Sequence, residues 1–399
     1  MTDHRPSAPG TPSIDLPKLR AGRLARLQAA MRRYDLGACL FFNPANIRYA
    51  TGTRVMAVYT SGTFVRCSLV PAEGSPILFE HPNSMHISRQ IVTDVRPMSS
   101  WDFCGTQALD QAVRWARQIR SALRELGLKG DRLAVDRLDT PGFLALMDEG
   151  IRVVDSGPAT VEAREIKTPE EIELLRINGR IGHAMLAGFE AAMRPGIREY
   201  ELLAVLSDVL LRRQGEHLFT RCCVAGRNTN PWMLEAGDTE VRPGDLVFVD
   251  TDAVGYEGYV VDVSRTFLCG DHPTPEQKEA YRAAHDCVAG MLEIARPGVT
   301  FEEFARRAPP LPEKYRARRY EVMVHQAGLE DEGPSIPYPG DDGLPMPPRE
   351  LREGMVLCLE CYAGEVGGAF GVKLEDQVLI TEKEVEKLCA YPYDARLLG

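Results

Sequence analysis

The sequence predicts an α/β domain followed by an α+β domain made of two related halves, and three observations predict it. Helix-like and strand-like runs alternate as far as about Asp155. A strong helix start stands at Thr168-Pro-Glu-Glu, and beyond it one block of local signals occurs twice.

The first domain opens with Leu24, Leu27 and Met31 at helical spacing, then a strand-like Ala38–Phe42 running into the turn dipeptide Asn43-Pro44. Strand-like Phe64–Val70 and Pro76–Phe79, a helical Ala108–Leu126 and a strand near Arg132–Val135 continue the alternation. At the next helix Thr168 is a good N-cap, Pro169 suits the first helical position and Glu171 completes a capping box. The expected domains are therefore residues 1–160 and 161–399.

In the second domain, Thr168-Pro-Glu opens a helix that carries Ala187-Gly188 and stops at Arg194-Pro-Gly196. Thr274-Pro-Glu opens another that carries Ala289-Gly290 and stops at Arg296-Pro-Gly298. The repeat resumes at Arg242-Pro-Gly-Asp-Leu-Val-Phe-Val-Asp250, matched by Arg352-Glu-Gly-Met-Val-Leu-Cys-Leu-Glu360. Each copy is a turn, a buried strand and a carboxylate. A second strand follows, Gly258–Leu268 or Gly371–Ile380, and carries Asp262 or Glu375. The halves thus pair Asp250 with Asp262 and Glu360 with Glu375.

Burying an unpaired carboxylate costs several kcal/mol, so acids converging at the inner ends of apolar strands need positive charge. No Lys or Arg cluster is spaced to supply it, whereas two divalent cations about 3.5–4 Å apart would. In Phe248-Val-Asp250-Thr-Asp252 the strand period sends both aspartates to one face and Thr251 to the other. His325, following the strand-like Tyr320–Val324, reads in isolation as a core histidine; between the acid pairs it is a nitrogen donor. The expected ligands are Asp250, Asp252, Asp262, His325, Glu360 and Glu375. Such an oxygen-rich set with one imidazole suits Mn, Fe, Co or Zn.

Composition narrows the partners. With 44% apolar and 26% charged residues the chain is globular, and a net charge of −10 offers no basic field for nucleic acid. No window resembles a signal-peptide core or a membrane span, so no membrane partner and a cytoplasmic location are expected. The ten cysteines are scattered and read as reduced, buried small hydrophobes, including Cys358-x-x-Cys361 in its strand-like run.

At Gly258-Tyr-Val-Val-Asp262-Val-Ser-Arg-Thr266, His325, Glu360 and Lys373-Leu-Glu375-Asp-Gln the chain resembles the pita-bread family of creatinase, methionine aminopeptidase, Xaa-Pro aminopeptidase and prolidase. Asn46-Ile-Arg-Tyr49 after a strand is similar to the creatinase-type N-terminal domain. The resemblance implies a pseudo-two-fold pita-bread catalytic domain, two metals and a homodimer.

It also exposes departures. The peptidases place their first aspartate eleven residues before the second, where this chain has Thr251 between Asp250 and Asp252. Their substrate-contacting histidine has no counterpart in Val224-Ala-Gly-Arg-Asn-Thr-Asn-Pro-Trp232-Met, and their His-Gly-x-Gly is His325-Gln326-Ala-Gly328 here. Asn230-Pro-Trp232, Asp250-Thr-Asp252, Tyr320, Asp331-Glu332 and the segment Lys373–Thr381 resemble instead the branch containing the metal-dependent dimethylsulfoniopropionate lyase. That likeness implies all three aspartates as ligands, Asp331 as general base, and Trp232 and Tyr320 as pocket walls. The expected reaction is β-elimination from a small sulfonium- or ammonium-bearing carboxylic acid. The alternative is an Xaa-Pro dipeptidase or aminopeptidase with Glu360 as proton shuttle.

Overall fold

A computed structural model describes residues 14–54, 56, 58, 62–128, 132–340 and 345–399. They form two compact units that divide after residue 164. The helix Gly157–Glu165 occupies this division, a few residues beyond the boundary expected at 160.

The first unit is a six-stranded mixed sheet in the order Asp94–Pro97, Ile77–Glu80, Cys67–Pro71, Ala38–Phe41, Arg132–Val135, Arg152–Asp155. Ala38–Phe41 is antiparallel to Cys67–Pro71 and parallel to Arg132–Val135. Helix Ala108–Glu125 buries Ala112, Trp115, Ile119 and Leu123 in one core with Leu40, Leu69 and Phe79 of the sheet. The expected turn at Asn43-Pro44 is a helix start: the Asn43 side chain accepts from Ala45 N, and the helix Pro44–Thr51 follows.

In the second unit the repeat is visible bond by bond. Helices Pro169–Ala192 and Pro275–Ile294 both begin with a capping box, Thr168 with Glu171 and Thr274 with Gln277; a side-chain cap is worth about 1 kcal/mol. After each helix the chain reverses at a glycine with φ near +88° (Gly196) or +86° (Gly298), a conformation that other residues adopt only with strain. Gly196 N then donates to Val241 O, and Gly298 N to Leu351 O; isolated bridges Arg198–Glu240 and Thr300–Glu350 continue the match.

Each half then builds antiparallel strands. The first has Cys223–Ala225, Leu246–Asp250 and Ser264–Leu268 in one sheet, with His217–Leu218, Ala253–Val254 and Val260–Val261 in another. The second has Asp331–Pro337, Val322–Ala327, Val356–Gly364, Gly371–Ile380 and Val385–Lys387 in a single sheet. The halves meet where Thr266 Oγ1 donates to Lys373 O (2.8 Å) and accepts from Lys373 N (3.1 Å). Helix Pro275–Ile294 covers the second sheet with Tyr281, Val288 and Met291 against Leu357, Leu359 and Leu374; each fully buried aliphatic or Met side chain contributes about 1.5–3 kcal/mol. All ten cysteines are unpaired as disulfides. No helix among the described residues is long and apolar enough to cross a membrane.

Candidate metal centre

The strand registers decide which acids meet. Glu360 lies directly opposite Glu375, and His325 opposite Cys358. In the first half, however, the residue opposite Asp250 is Ser264, not Asp262. Asp262 stands in the short break between Val260–Val261 and Ser264–Leu268, so the acid pairs are not related by a simple match of register. Ser264 keeps the symmetry: its Oγ is 2.6 Å from Asp250 Oδ1 and 2.8 Å from Glu375 Oε2, joining the halves. One hydroxyl proton serves only one of these contacts, so the other requires a proton or a cation on the carboxylates.

Two other expectations on position are corrected. The strand ends at Asp250, and Asp252 has φ of +28°, so it is a backbone turn and not strand alternation that brings Asp252 in. His325 lies inside Val322–Ala327 and does not follow a strand. Thr251 is fully buried and turned to the backbone on either side of Asp262: Val263 N donates to its Oγ1 at 3.1 Å, and Oγ1 is 3.0 Å from Val261 O. Thr251 thus braces the backbone on either side of Asp262.

His325 Nε2 is 3.3 Å from Asp262 Oδ2 and 3.5 Å from both Glu360 Oε1 and Glu375 Oε1. His325 Nδ1 is 3.1 Å from Gln326 O, which can only accept; the proton is therefore on Nδ1, and in the neutral ring Nε2 presents a lone pair to the acids. Asp262 Oδ1, Glu360 Oε1 and Glu375 Oε1 are buried without hydrogen-bond partners. Unsatisfied carboxylate oxygens around a nitrogen donor fit a divalent cation. Ligand atoms of Asp262, His325, Cys358 and Glu375 lie within 4.8 Å of one another, as do those of Asp252, Asp262 and Asp331. The two groups share Asp262.

No Lys or Arg cluster is expected to supply charge to the acids; the structure brings in a single lysine. Lys373 Nζ, buried, is 2.5 Å from Glu360 Oε2, 3.2 Å from Glu375 Oε2 and 3.5 Å from Asp250 Oδ2. It faces the same way as Glu375 because they are two apart on one strand, a signal present in the sequence but unread. Cys358 is related to Glu360 in the same way; burial, then Asp262 and Glu375, raises its thiol well above the ordinary value and keeps it neutral.

Burial is the first cause of raised carboxyls at Asp250, Asp252 and Asp262, reinforced by neighbouring acids. Burial pushes Glu360 up to about 8 against the pull of Lys373. At Glu375 burial is outweighed by Lys373 and His325, and the carboxyl stays below the carboxylate range. Burial disfavours charge on His325, but Asp262 and Glu375 overcome it and raise the ring well above its ordinary value.

Trp232 and Tyr320 stand edge to face with centroids 4.7 Å apart, and Tyr362, which sequence reading passed over, stacks near Trp232 at 6.1 Å. Asn230 Nδ2 anchors this wall by donating to Glu365 O (2.7 Å) and Gly368 O (3.1 Å). The cation facing these rings is the chain's own: Lys373 Nζ lies 4.7 Å from the Trp232 centroid and 5.5 Å from that of Tyr320.

Asp331 begins the strand Asp331–Pro337 at the end of a hairpin with Val322–Ala327, and is exposed. Burial of its carboxyl and the nearby Glu375 and Glu330 nonetheless raise its pKa, with His325 opposing. Its neighbour Glu332 points inward and pairs with buried Lys167 at 2.7 Å, which fixes the hairpin. Gln326 turns into this hairpin, its Nε2 donating to Pro334 O (3.3 Å), and so points away from His325.

Comparison with known proteins agrees with this architecture. Residues 173–382 match Metallopeptidase family M24, and residues 23–166 match the Creatinase/Prolidase N-terminal domain. The chain is 34% identical over 396 residues to dimethylsulfoniopropionate lyase DddP of Roseovarius nubinhibens, covering 96% of this chain and 89% of that one. It is 32% identical over 235 residues to the Xaa-Pro dipeptidase of Pyrococcus furiosus, covering 57% and 64%. Prolidase from Thermococcus sibiricus superposes with a TM-score of 0.79 at 22% identity, over 96% of this chain and 99% of that one, a likeness of fold. With its acids and histidine gathered at the junction of two repeated halves, the chain belongs to metallopeptidase family M24, the pita-bread family, in the branch that includes DddP, and carries a creatinase/prolidase N-terminal domain.

Proposed function

We propose that this protein is a dinuclear metal-dependent lyase that eliminates a β-leaving group from a small sulfonium- or ammonium-bearing carboxylic acid. The observation that carries the reading is the altered acid shell. Thr251 braces the Asp262 backbone where a peptidase ligand would stand, while Asp252 gathers with Asp262 and Asp331. The near full-length likeness to a dimethylsulfoniopropionate lyase supports it.

Two divalent ions, Fe, Mn, Co or Zn, held by Asp250, Asp252, Asp262, His325, Glu360 and Glu375, would supply Lewis acidity toward the substrate carboxylate. Asp331 takes the proton from the carbon beside that carboxylate. The released electron pair becomes the new C=C bond as the C–S or C–N bond breaks, and the neutral sulfide or amine leaves with the bond's electrons. Trp232 and Tyr320 offer ring faces to the onium group, an attraction of about 0.5–2 kcal/mol. In this proposal the enzyme works in the cytoplasm, and, by family analogy, as a homodimer.

The second reading is an Xaa-Pro peptidase. It is favoured by the likeness to the Xaa-Pro dipeptidase of Pyrococcus furiosus, and gives Glu360 the part of proton shuttle. Purified protein loaded in turn with Mn, Fe, Co or Zn and offered both onium carboxylic acids and Xaa-Pro dipeptides distinguishes them. Elimination product without amide hydrolysis is expected; proline release without any alkene would sink the lyase assignment.

A further inference from the structure

The strand Val356–Gly364 sends its side chains to two different places. Leu357, Leu359 and Cys361 enter the core beneath helix Pro275–Ile294, while Cys358 and Glu360, on the opposite face by the period of two, turn to the acids. Cys358 is therefore not placed as a small core hydrophobe, the usual lot of a buried cysteine. It is fully buried and lies directly opposite His325 on the neighbouring strand. A ligand atom from each of Cys358, Asp262, His325 and Glu375 lies within 4.8 Å of the other three. The thiols of Cys223 and Cys287 reach backbone carbonyls at 3.5 Å, but among the described residues no hydrogen bond holds that of Cys358. Asp262 Oδ1 and Glu375 Oε1, on residues 2% and 1% exposed, are likewise without partners. A thiol, an imidazole nitrogen and two carboxylates gathered in this way are a donor set for a borderline-soft divalent cation. Burial and the neighbouring acids keep the isolated thiol protonated; a divalent ion among those acids reverses the field, and a coordinating thiol gives up its proton.

We infer that Cys358 is a sulfur ligand to the ion held by Asp262, His325 and Glu375, and that it makes this position one for Zn, Co or Fe in preference to Mn. This rests on reading the cluster as a two-metal centre. The sulfur–metal bond replaces the S–H bond, and the proton leaves to water. The other candidate group, Asp252, Asp262 and Asp331, offers oxygen alone and shares Asp262 with the first. The centre is then two unlike positions. Mn2+, at the weak end of the divalent series and partial to oxygen, suits only the all-oxygen one.

The test is titration of the metal-free full chain with CoCl2, followed in the near ultraviolet, for the native protein and for Cys358→Ser. Cobalt is expected to raise a sulfur-to-cobalt charge-transfer band in the native chain. The variant should show no such band while still holding cobalt through its carboxylates and His325. Competition between ZnCl2 and MnCl2 should favour zinc by a ratio at least about tenfold larger in the native chain than in Cys358→Ser. X-ray absorption of the native chain with one equivalent of zinc reads the same contact without a variant, and a sulfur neighbour at about 2.3 Å is expected. If Cys358→Ser does not fold or does not hold cobalt, that spectrum decides. Cobalt bound without the band, a band that survives in Cys358→Ser, or zinc with only nitrogen and oxygen neighbours overturns the sulfur ligand while leaving the two-metal centre standing. A native chain that takes up no metal removes the reading of the centre itself.

Discussion

Replacing Asp331 by Asn separates the proposed base from the ligands around it. The carboxylate of Asp331 sits within 4.8 Å of ligand atoms of Asp252 and Asp262, yet the residue is exposed at a hairpin end. Among the described residues no hydrogen-bond donor holds its side chain, and the hairpin is fixed by the next residue, Glu332, paired with Lys167. Asn keeps the shape, so stability should change by no more than about 0.5 kcal/mol. Loss of a general base should lower kcat by about 10²–10⁴, which is about 2.7–5.4 kcal/mol of barrier. Because the carboxyl is raised above its ordinary value, the native enzyme's rate should climb with pH as Asp331 ionises, and the variant should lack that limb. The assay is elimination rate against pH, with metal content and melting temperature measured on the same samples. A kcat within threefold of native, roughly 0.6 kcal/mol, would refute the assignment; so would a fall matched by loss of metal, which would make Asp331 a ligand instead.

Two further outcomes follow from the centre's surroundings. Arg265 and Asp376 form a buried pair at 2.6 Å behind the site, and Arg265 Nη1 donates to Glu375 O at 2.6 Å. Asp376→Asn leaves a buried guanidinium uncompensated and should cost about 3–5 kcal/mol in denaturant unfolding. Burial opposes ionisation of Asp376, but Arg265 and Lys387 outweigh it and depress its pKa; its contribution is therefore complete above the unfolded value of about 3.9 and is lost as pH falls through the folded value. The native chain should lose this increment in acid, and the variant should have none to lose; equal acid sensitivity would contradict the pairing. Asp262→Ala combined with His325→Ala removes the acid common to both ligand groups and the nitrogen donor, and should abolish metal retention after desalting. Elemental analysis finding two metal equivalents in the double variant would refute the centre.

Much of this was legible because it is local or repeated. The Thr168 and Thr274 caps, the Pro-Gly stops and the strands ending in Asp250 or carrying Glu360 are written as short patterns, and the duplication ties them together. What escaped depends on register and backbone angle. Asp262 and Glu375 occupy corresponding strands in sequence, but a break before Ser264 moves Asp262 out of the position opposite Asp250. Asp252 arrives through a positive φ that no alternation rule contains. Lys373 stands two residues from Glu375, but a single lysine is not a cluster, and it is its depth, 1% exposed, that brings its charge to the acids.

The junction of the halves has a consequence for the order in which the chain folds. Asp250 and Glu375 belong to hairpins that can each pair from neighbouring sequence, while the contact of Thr266 with Lys373 closes a far longer loop and is slow by comparison. Until that closure the acids of each half remain hydrated and apart. The repulsion of a crowded anionic cluster therefore falls late in folding, on the docking step, and leaves hairpin nucleation unburdened. Lys373 travels into that step on the same strand as Glu375, so part of the neutralising charge is delivered by the segment that brings the problem.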